Sequence, residues 1–249
     1  MEPLNFRHEG RTIRGTLHLP ERGDAPGVVL CHGFSGNRTE FGHTYVRLGR
    51  RLAERGIAAY RFDFAGGGDS DGEYGDITVS DQVSQTLAAL DALGQVPGVD
   101  KDRLSLLGMS LGGLTASLAA TENPVRTLAL WAPAALAVEA NEPDEVEYWP
   151  EIVEKGYDDL FGQPVTRRFT EDGFGIDSWT KAAAFTGPVL LAAGTEDELF
   201  PDDVIDHYRE IYADRLELHL FEDLDHCFET VPARAALVDL TAEFLLRTM

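Results

Sequence analysis

Short, uniformly apolar runs alternate along the chain with longer stretches of helical periodicity. The uniform runs predict strands that are buried on both faces. They occupy residues 27–31, 57–62, 104–108, 127–131 and 189–193. The periodic stretches predict helices, and they occupy residues 45–55, 79–93, 111–122, 202–212 and 232–246. Further strands are predicted at 4–7, 12–19 and 216–221. Strands that alternate with helices across short loops predict an α/β fold with a mostly parallel, doubly wound sheet.

One segment breaks this alternation. Residues 134–184 are acidic and aromatic, and they follow the buried strand at 127–131. Ligands bind at the carboxyl ends of the strands in open α/β sheets, so an insertion here can cover a site. We therefore divide the chain into a core of residues 1–133 and 185–249 and a small cap, or lid, over residues 134–184. The aromatic residues of the cap are equally compatible with a local core and with the wall of a binding site.

The motif G-x-S-x-G lies where a strand meets a helix, with Ser110 between Gly108 and Gly112. A serine on so tight a turn has strained backbone angles and very small neighbours, and its hydroxyl is lifted clear of the sheet. The helix that follows directs backbone N–H groups towards the reacting centre. The motif alone is also compatible with a helix-starting serine between packing glycines. The strand before it and the helix after it favour a nucleophile.

A serine nucleophile needs a base, and the base needs a carboxylate that orients it. His226 lies in the loop between the last strand and the last helix, at the same predicted sheet edge as Ser110. Asp197 follows another strand at that edge, and its neighbour Glu196 is a weaker alternative. The order Ser110, Asp197, His226 is the order found in α/β-hydrolases. We expect these three residues to form a catalytic triad.

The oxyanion that forms on the attacked carbonyl group needs fixed hydrogen-bond donors. The backbone N–H of Leu111, directly after the nucleophile, is the first candidate. The second should come from the glycine-rich loop after the strand at 27–31, which begins His32-Gly33-Phe34. We choose the backbone N–H of Phe34.

Composition narrows the choice of partners and compartment. The net charge of −22 argues against nucleic acid and anionic membranes as partners. No apolar run is long enough to cross a bilayer, and the first residues lack the order of a signal peptide. Two cysteines do not make a disulfide framework. We therefore expect a cytoplasmic protein, and a homodimer is compatible with the sequence.

A glycine run and two Cys/His pairs could each indicate a cofactor or metal site. The glycine run at 66–68 lacks the third glycine and the helix of a dinucleotide fingerprint, so it predicts a loop. The pairs Cys31-His32 and His226-Cys227 could supply zinc ligands. Neighbouring residues on a strand point to opposite faces, however, and no C-x-x-C spacing occurs. We expect neither a metal nor another cofactor.

Four stretches of the chain, 32–37, 61–72, 132–134 and 225–228, resemble those of α/β-hydrolase-fold carboxylesterases, in particular the bacterial cinnamoyl (feruloyl) esterase group. The resemblance implies ester hydrolysis by the same triad, with a small cap that shapes the acyl or aryl pocket. Two departures are visible. That group usually has His and Gln beside the nucleophile, where this chain has Met109 and Leu111. Its phenol-binding tyrosine is replaced, with Thr170 near its place.

The expected function is that of a serine carboxylesterase acting on neutral esters with short acyl chains or simple aryl groups. The residues expected to line the substrate pocket are His32, Gly33, Met109, Trp149 and Thr170. A feruloyl esterase, a serine peptidase and a thioesterase are the alternatives among enzymes. A non-catalytic binding protein on the same fold is the alternative outside them.

Overall fold

A computed structural model describes residues 1–134, 150–160 and 162–249 of the chain. Its centre is an eight-stranded sheet. In spatial order the strands are β1 (Glu2–Pro3), β4 (Gly15–His18), β6 (Ala58–Phe62), β5 (Ala25–Cys31), β7 (Val99–Met109), β8 (Leu128–Trp131), β11 (Val189–Gly194) and β12 (Leu216–Phe221). In this order the strands from β6 to β12 run parallel, whereas β4 runs antiparallel to both of its neighbours, β1 and β6. The predicted α/β fold with a mostly parallel sheet is confirmed.

The helices begin and end close to the predicted positions. Those that connect the strands are α1 (Thr44–Glu54), α2 (Val79–Gly94), α3 (Leu111–Glu122), α7 (Asp202–Tyr212) and α8 (Val231–Thr248). The starts of α2 and α8 share one local cause, because the hydroxyl groups of Thr78 and Thr230 accept the N–H three residues further on. A threonine in this position satisfies one of the N–H groups that a helix start leaves without a partner.

The direction of the strand order reverses at β5. The chain passes from β5 through α1 to β6 on one side, and then from β6 through α2 to β7 on the other side of β5. Right-handed crossovers in opposite directions place their helices on opposite faces of the sheet. Accordingly α1 packs against α8, and α2 packs against α3. The reversal leaves a crevice between the carboxyl ends of β5 and β7, which is where ligands bind in such sheets.

Some strand bounds differ from the prediction. The strand β7 begins at Val99, five residues before its apolar run. Its first part was missed because residues 100–103 are polar and partly or fully exposed. The predicted strand at 12–19 is divided into β3 (Arg11–Ile13) and β4. The strand β3 pairs with β2 (Phe6–His8) through a turn at Glu9-Gly10, where both residues have a positive φ. Hydropathy alone does not mark either boundary.

Among the described residues, five further elements lie within the range predicted as a cap. They are α4 (Pro150–Lys155), β9 (Tyr157–Leu160), β10 (Gln163–Thr166), α5 (Arg167–Phe174) and α6 (Ser178–Ala183). The strands β9 and β10 form an antiparallel hairpin separate from the central sheet. The helix α5 packs against α2, whereas α6 packs against α3 and α7. The bounds of the cap at 134 and 184 stay a prediction.

Candidate active site

Ser110 occupies a strained turn between β7 and α3. Its φ of 51° and ψ of −122° lie where a non-glycine residue is rarely found. The flanking glycines are required by contact. A Cβ on Gly108 would lie 2.1 Å from the carbonyl oxygen of Gly112, and a Cβ on Gly112 would lie 2.1 Å from that of Cys31. The sequence motif therefore has the geometry of a nucleophile elbow.

The loop after β5 lies against Ser110 at Gly33. A Cβ on Gly33 would lie 3.4 Å from the Cβ of Ser110. His32 is buried and fixes this loop. Its Nε2 accepts the N–H of Phe64 at 3.1 Å, so its Nδ1 carries the hydrogen and donates to the Gly33 carbonyl at 2.9 Å. Burial lowers the pKa of His32, which keeps the ring neutral in this arrangement.

Two backbone N–H groups of the loops around Ser110 have no acceptor in the described part of the chain. They belong to Phe34 and Leu111, and neither donates a hydrogen bond to any residue that the structure describes. Leu111 is almost fully buried, and a buried N–H without a partner is rare in folded proteins. These are the two donors that the sequence predicts for an oxyanion hole.

Asp197 and His226 are joined by a hydrogen bond. The Nδ1 of His226 lies 2.8 Å from Oδ2 of Asp197, and the other carboxylate oxygen accepts the N–H of Leu199 at 2.9 Å. The Asp197 side chain is fully buried, whereas 17% of the His226 side chain is exposed. The neighbouring Glu196 is exposed. The contact of His226 is therefore with Asp197, the carboxylate preferred from the sequence.

The loop that carries Asp197 and the loop that carries His226 are joined by hydrogen bonds from their backbones. The N–H of Glu196 donates to the carbonyl of Leu224 at 2.9 Å, and the N–H of Asp223 donates to the Thr195 hydroxyl at 2.9 Å. A Cβ on Gly194 would lie 2.0 Å from the same Leu224 carbonyl oxygen. Glycine at the end of β11 is therefore what lets the two loops approach.

Ser110 stands at the same edge of the sheet, since β7, β11 and β12 all run in one direction. Its hydroxyl makes no hydrogen bond with a residue in the described ranges. Contacts of a nucleophile with its base are often longer before substrate binds. The structure brings His226 and Asp197 together, and the link from Ser110 to His226 stays a prediction.

The sequence matches that of a known protein family. Residues 25–163, more than half of the chain, match the family described as serine aminopeptidase S33. The chain belongs to this family. It is a serine hydrolase of the α/β-hydrolase fold. The matched range contains Ser110 and Phe34 but ends before Asp197 and His226.

A solved structure shares the fold, and curated proteins match part of the sequence. Est1E of Butyrivibrio proteoclasticus, with ferulic acid bound, has a TM-score of 0.87 at 24% identity over 98% of both chains. The mouse mitochondrial palmitoyl-protein thioesterase ABHD10 is 31% identical over 44% of this chain and 34% of its own length. The esterase FrsA of Serratia proteamaculans is 34% identical over 51% of this chain and 30% of its own length. The matches thus span about a third of these curated relatives.

The helix α5, which lies in the range predicted as a cap, contacts the loop after β5 through aromatic side chains. The ring of Phe34 lies 5.2 Å from that of Phe169 in α5 and 5.5 Å from that of Tyr74. The Tyr74 hydroxyl accepts the N–H of Ser35 at 2.8 Å. Phe169 was not among the residues predicted to line the pocket. Its signal in the sequence was no stronger than that of the other aromatic residues of the cap.

The remaining pocket predictions have different positions. Met109 is buried at the end of β7. The Thr170 hydroxyl donates to the Arg167 carbonyl at 3.0 Å within its own helix. Trp149 lies outside the described residues. Contact of any of them with substrate stays a prediction.

Metal binding has little support at the predicted cysteines and histidines. Both ring nitrogens of His32 are occupied by backbone groups, and the Sγ of Cys31 lies 3.5 Å from the Thr86 hydroxyl. Within the described ranges, candidate ligand atoms cluster only at His8, Glu9 and Asp81. There the guanidinium group of Arg11 already binds both oxygens of Asp81 at 2.8 Å.

In the part of the chain that the structure describes, no helix has the length and apolar character needed to cross a membrane.

Proposed function

We propose that this serine hydrolase is a carboxylesterase that uses Ser110 as nucleophile, His226 as base and Asp197 as the orienting carboxylate. The hydrogen bond between the buried Asp197 and His226, on loops at the same sheet edge as the strained Ser110, carries the proposal. Because Asp197 accepts from Nδ1, the Nε2 of His226 is left without a hydrogen and can take a proton.

The reaction follows from these positions. The Ser110 hydroxyl adds to the ester carbonyl carbon while its proton moves to Nε2 of His226, and the carbonyl oxygen becomes an oxyanion. The free N–H groups of Phe34 and Leu111 stabilise that charge. The C–O bond to the alcohol then breaks, and His226 returns the proton to the leaving oxygen. Water, deprotonated by His226, releases the acid from the acyl-enzyme in the same way.

The substrate class rests on charge and on the aromatic side chains near the site. The chain carries a net charge of −22, which disfavours anionic substrates. The cluster of Phe34, Phe169 and Tyr74 favours a flat or short apolar group by burial of apolar surface. We therefore expect neutral esters with short acyl chains or simple aryl groups to be hydrolysed best. Selection for a phenolic hydroxyl should be modest, because strong selection needs a dedicated buried polar partner.

The decisive experiment combines a probe with a substrate panel. A fluorophosphonate should label the wild-type chain at Ser110, and Ser110→Ala should abolish labelling and lower ester hydrolysis by several orders of magnitude without loss of the fold. A folded Ser110→Ala variant with near-normal turnover would rule out the triad. Absence of both labelling and turnover in the wild type would favour a non-catalytic binding protein.

The panel separates the alternatives among hydrolases. It compares kcat/KM for p-nitrophenyl acetate, butyrate and decanoate, methyl cinnamate, methyl ferulate, a palmitoyl thioester and a peptide anilide. We expect the short p-nitrophenyl esters and methyl cinnamate to lead. Ferulate preferred over cinnamate by more than about 100-fold would indicate a phenol-binding group. If the thioester leads, the thioesterase activity in the name of the mouse relative applies here. If the anilide leads, the chain is a peptidase, as the family description suggests.

A further inference from the structure

A second buried carboxylate lies behind the loop that carries Phe34. Glu40 is only 8% exposed, although it follows the polar run Asn37-Arg38-Thr39. Its backbone has φ 56° and ψ 171°, a conformation that glycine adopts freely and other residues only under strain. A strained backbone and a buried carboxylate are both unfavourable for stability. Such features persist where the side chain has a specific role.

The Glu40 carboxylate holds the backbone beside the nucleophile. Its Oε2 accepts the N–H of Gly33 at 3.0 Å, while His32 donates to the carbonyl of the same Gly33 at 2.9 Å. Gly33 is thus fixed at its N–H and at its C=O. Because the peptide unit is planar and trans, fixing the Gly33 carbonyl also fixes the direction of the next N–H, which belongs to Phe34. That N–H is one of the two donors without an acceptor.

The groups around Glu40 come from distant parts of the chain. The small cavity beside it is also lined by Met109, Trp131, Arg234 of α8 and Cys227 of the loop that carries His226. Burial raises the pKa of Tyr45 in α1, and the charge of Glu40 raises it further.

The Glu40 carboxylate forms no ion pair with a lysine or arginine in the described ranges, although Arg234 lines the same small cavity. Burial raises the pKa of Glu40 to about 7, against the hydrogen bonds from Gly33 and Phe41 and the charge of His226. The buried carboxylate is therefore held by backbone hydrogen bonds.

We propose that Glu40 is a positioning residue, which holds Gly33 so that the Phe34 N–H faces the oxyanion. The proposal rests on the triad mechanism proposed above. It assigns no contact between Glu40 and substrate. Its consequence is that the direction of an oxyanion donor depends on one buried carboxylate.

Two nearly isosteric variants test the hydrogen bond to Gly33. Glu40→Gln keeps an oxygen that can accept the Gly33 N–H but removes the charge, and Glu40→Met removes both. In Glu40→Met the rate of labelling by a fluorophosphonate and kcat for p-nitrophenyl acetate should fall on the order of 10²-fold, as for loss of an oxyanion donor, with KM changed only a few-fold. Glu40→Gln should retain most of the rate, because the role of Glu40 depends on the acceptor oxygen and not on the charge.

Controls keep the outcomes apart. Asp81→Asn makes the same carboxylate-to-amide change at the Arg11 ion pair on α2, away from the site, and should leave the labelling rate unchanged. Thermal unfolding checks that each variant is folded. A folded Glu40→Met that is labelled as fast as wild type would overturn the proposal, and so would a folded Glu40→Gln as slow as Glu40→Met. If wild type itself is not labelled, the triad fails and not the role of Glu40.

Discussion

Gly194 is the point where the loop of Asp197 touches the loop of His226, and Gly194→Ala tests how closely the two loops must approach. Its φ does not lie in the left-handed region, so alanine adds no backbone strain there. The added Cβ would lie 2.0 Å from the Leu224 carbonyl oxygen and 2.8 Å from that of Asp225. Non-bonded heavy atoms pack at about 3.5 to 4.0 Å, so the Leu224 carbonyl must move by more than about 1 Å.

The size of the effect follows from that displacement. Overpacking of this kind costs about 1 to 3 kcal/mol, and the hydrogen bond from Glu196 to Leu224 contributes about 1 kcal/mol more when it breaks. We expect the free energy of unfolding to fall by about 2 to 4 kcal/mol. Because the same shift separates the loops that carry Asp197 and His226, kcat should fall on the order of 10²-fold.

Urea unfolding and the kinetics of p-nitrophenyl acetate hydrolysis measure the two losses. Gly23→Ala is the matched control, because Gly23 lies on an exposed loop where a Cβ meets nothing closer than 3.8 Å. That variant should behave like wild type. A Gly194→Ala variant with wild-type kcat, or with unchanged stability, would show that the two loops do not need this approach, and the reasoning would fail.

Three further perturbations test other parts of the structure. Asp197→Asn should lower kcat on the order of 10⁴-fold, because an amide opposite His226 favours the wrong tautomer; a loss below tenfold would contradict this role. Burial lowers the pKa of His18 from 6.5 to about 4, so the unfolded chain binds more protons between these values and stability falls as pH falls. Urea unfolding should show about 2 kcal/mol lost from this group between pH 7 and pH 5, and none of it in His18→Gln; the same loss in the variant would contradict it. Phe169→Ala removes a ring contact with Phe34 worth about 1 kcal/mol and should raise KM for methyl cinnamate several-fold with little change in kcat; an unchanged KM would exclude Phe169 from the pocket.

The core was predictable because its signals are local. Buried parallel strands are uniformly apolar, and a helix such as α7 has the predicted bounds, Asp202 and Tyr212. The elbow was predictable for a steric reason, since only glycine tolerates the contacts found at Gly108 and Gly112.

Glu40 was not predictable in the same way. Its polar neighbours are typical of a solvated loop, and the cavity beside it is lined by Cys227 and Arg234, which are distant in sequence. The acidic strand Tyr157–Leu160 was missed for a related reason. Its pairing with β10 gives a hairpin whose outward side chains leave no apolar pattern. Features that arise from contacts between distant segments leave little trace in local composition.

The order of the proposed catalytic residues along the chain has a consequence for synthesis of the protein on the ribosome. Ser110 and the loop of Phe34 precede the insertion, whereas Asp197 and His226 follow it, and the two parts meet where β8 pairs with β11. At about 5 to 20 residues per second, a ribosome needs roughly ten seconds between the nucleophile and the base. A nascent or truncated chain can thus complete the serine turn and still be unable to hydrolyse anything. A backbone cut at the exposed Gly162 should give two silent fragments whose recovered turnover reports their reassembly.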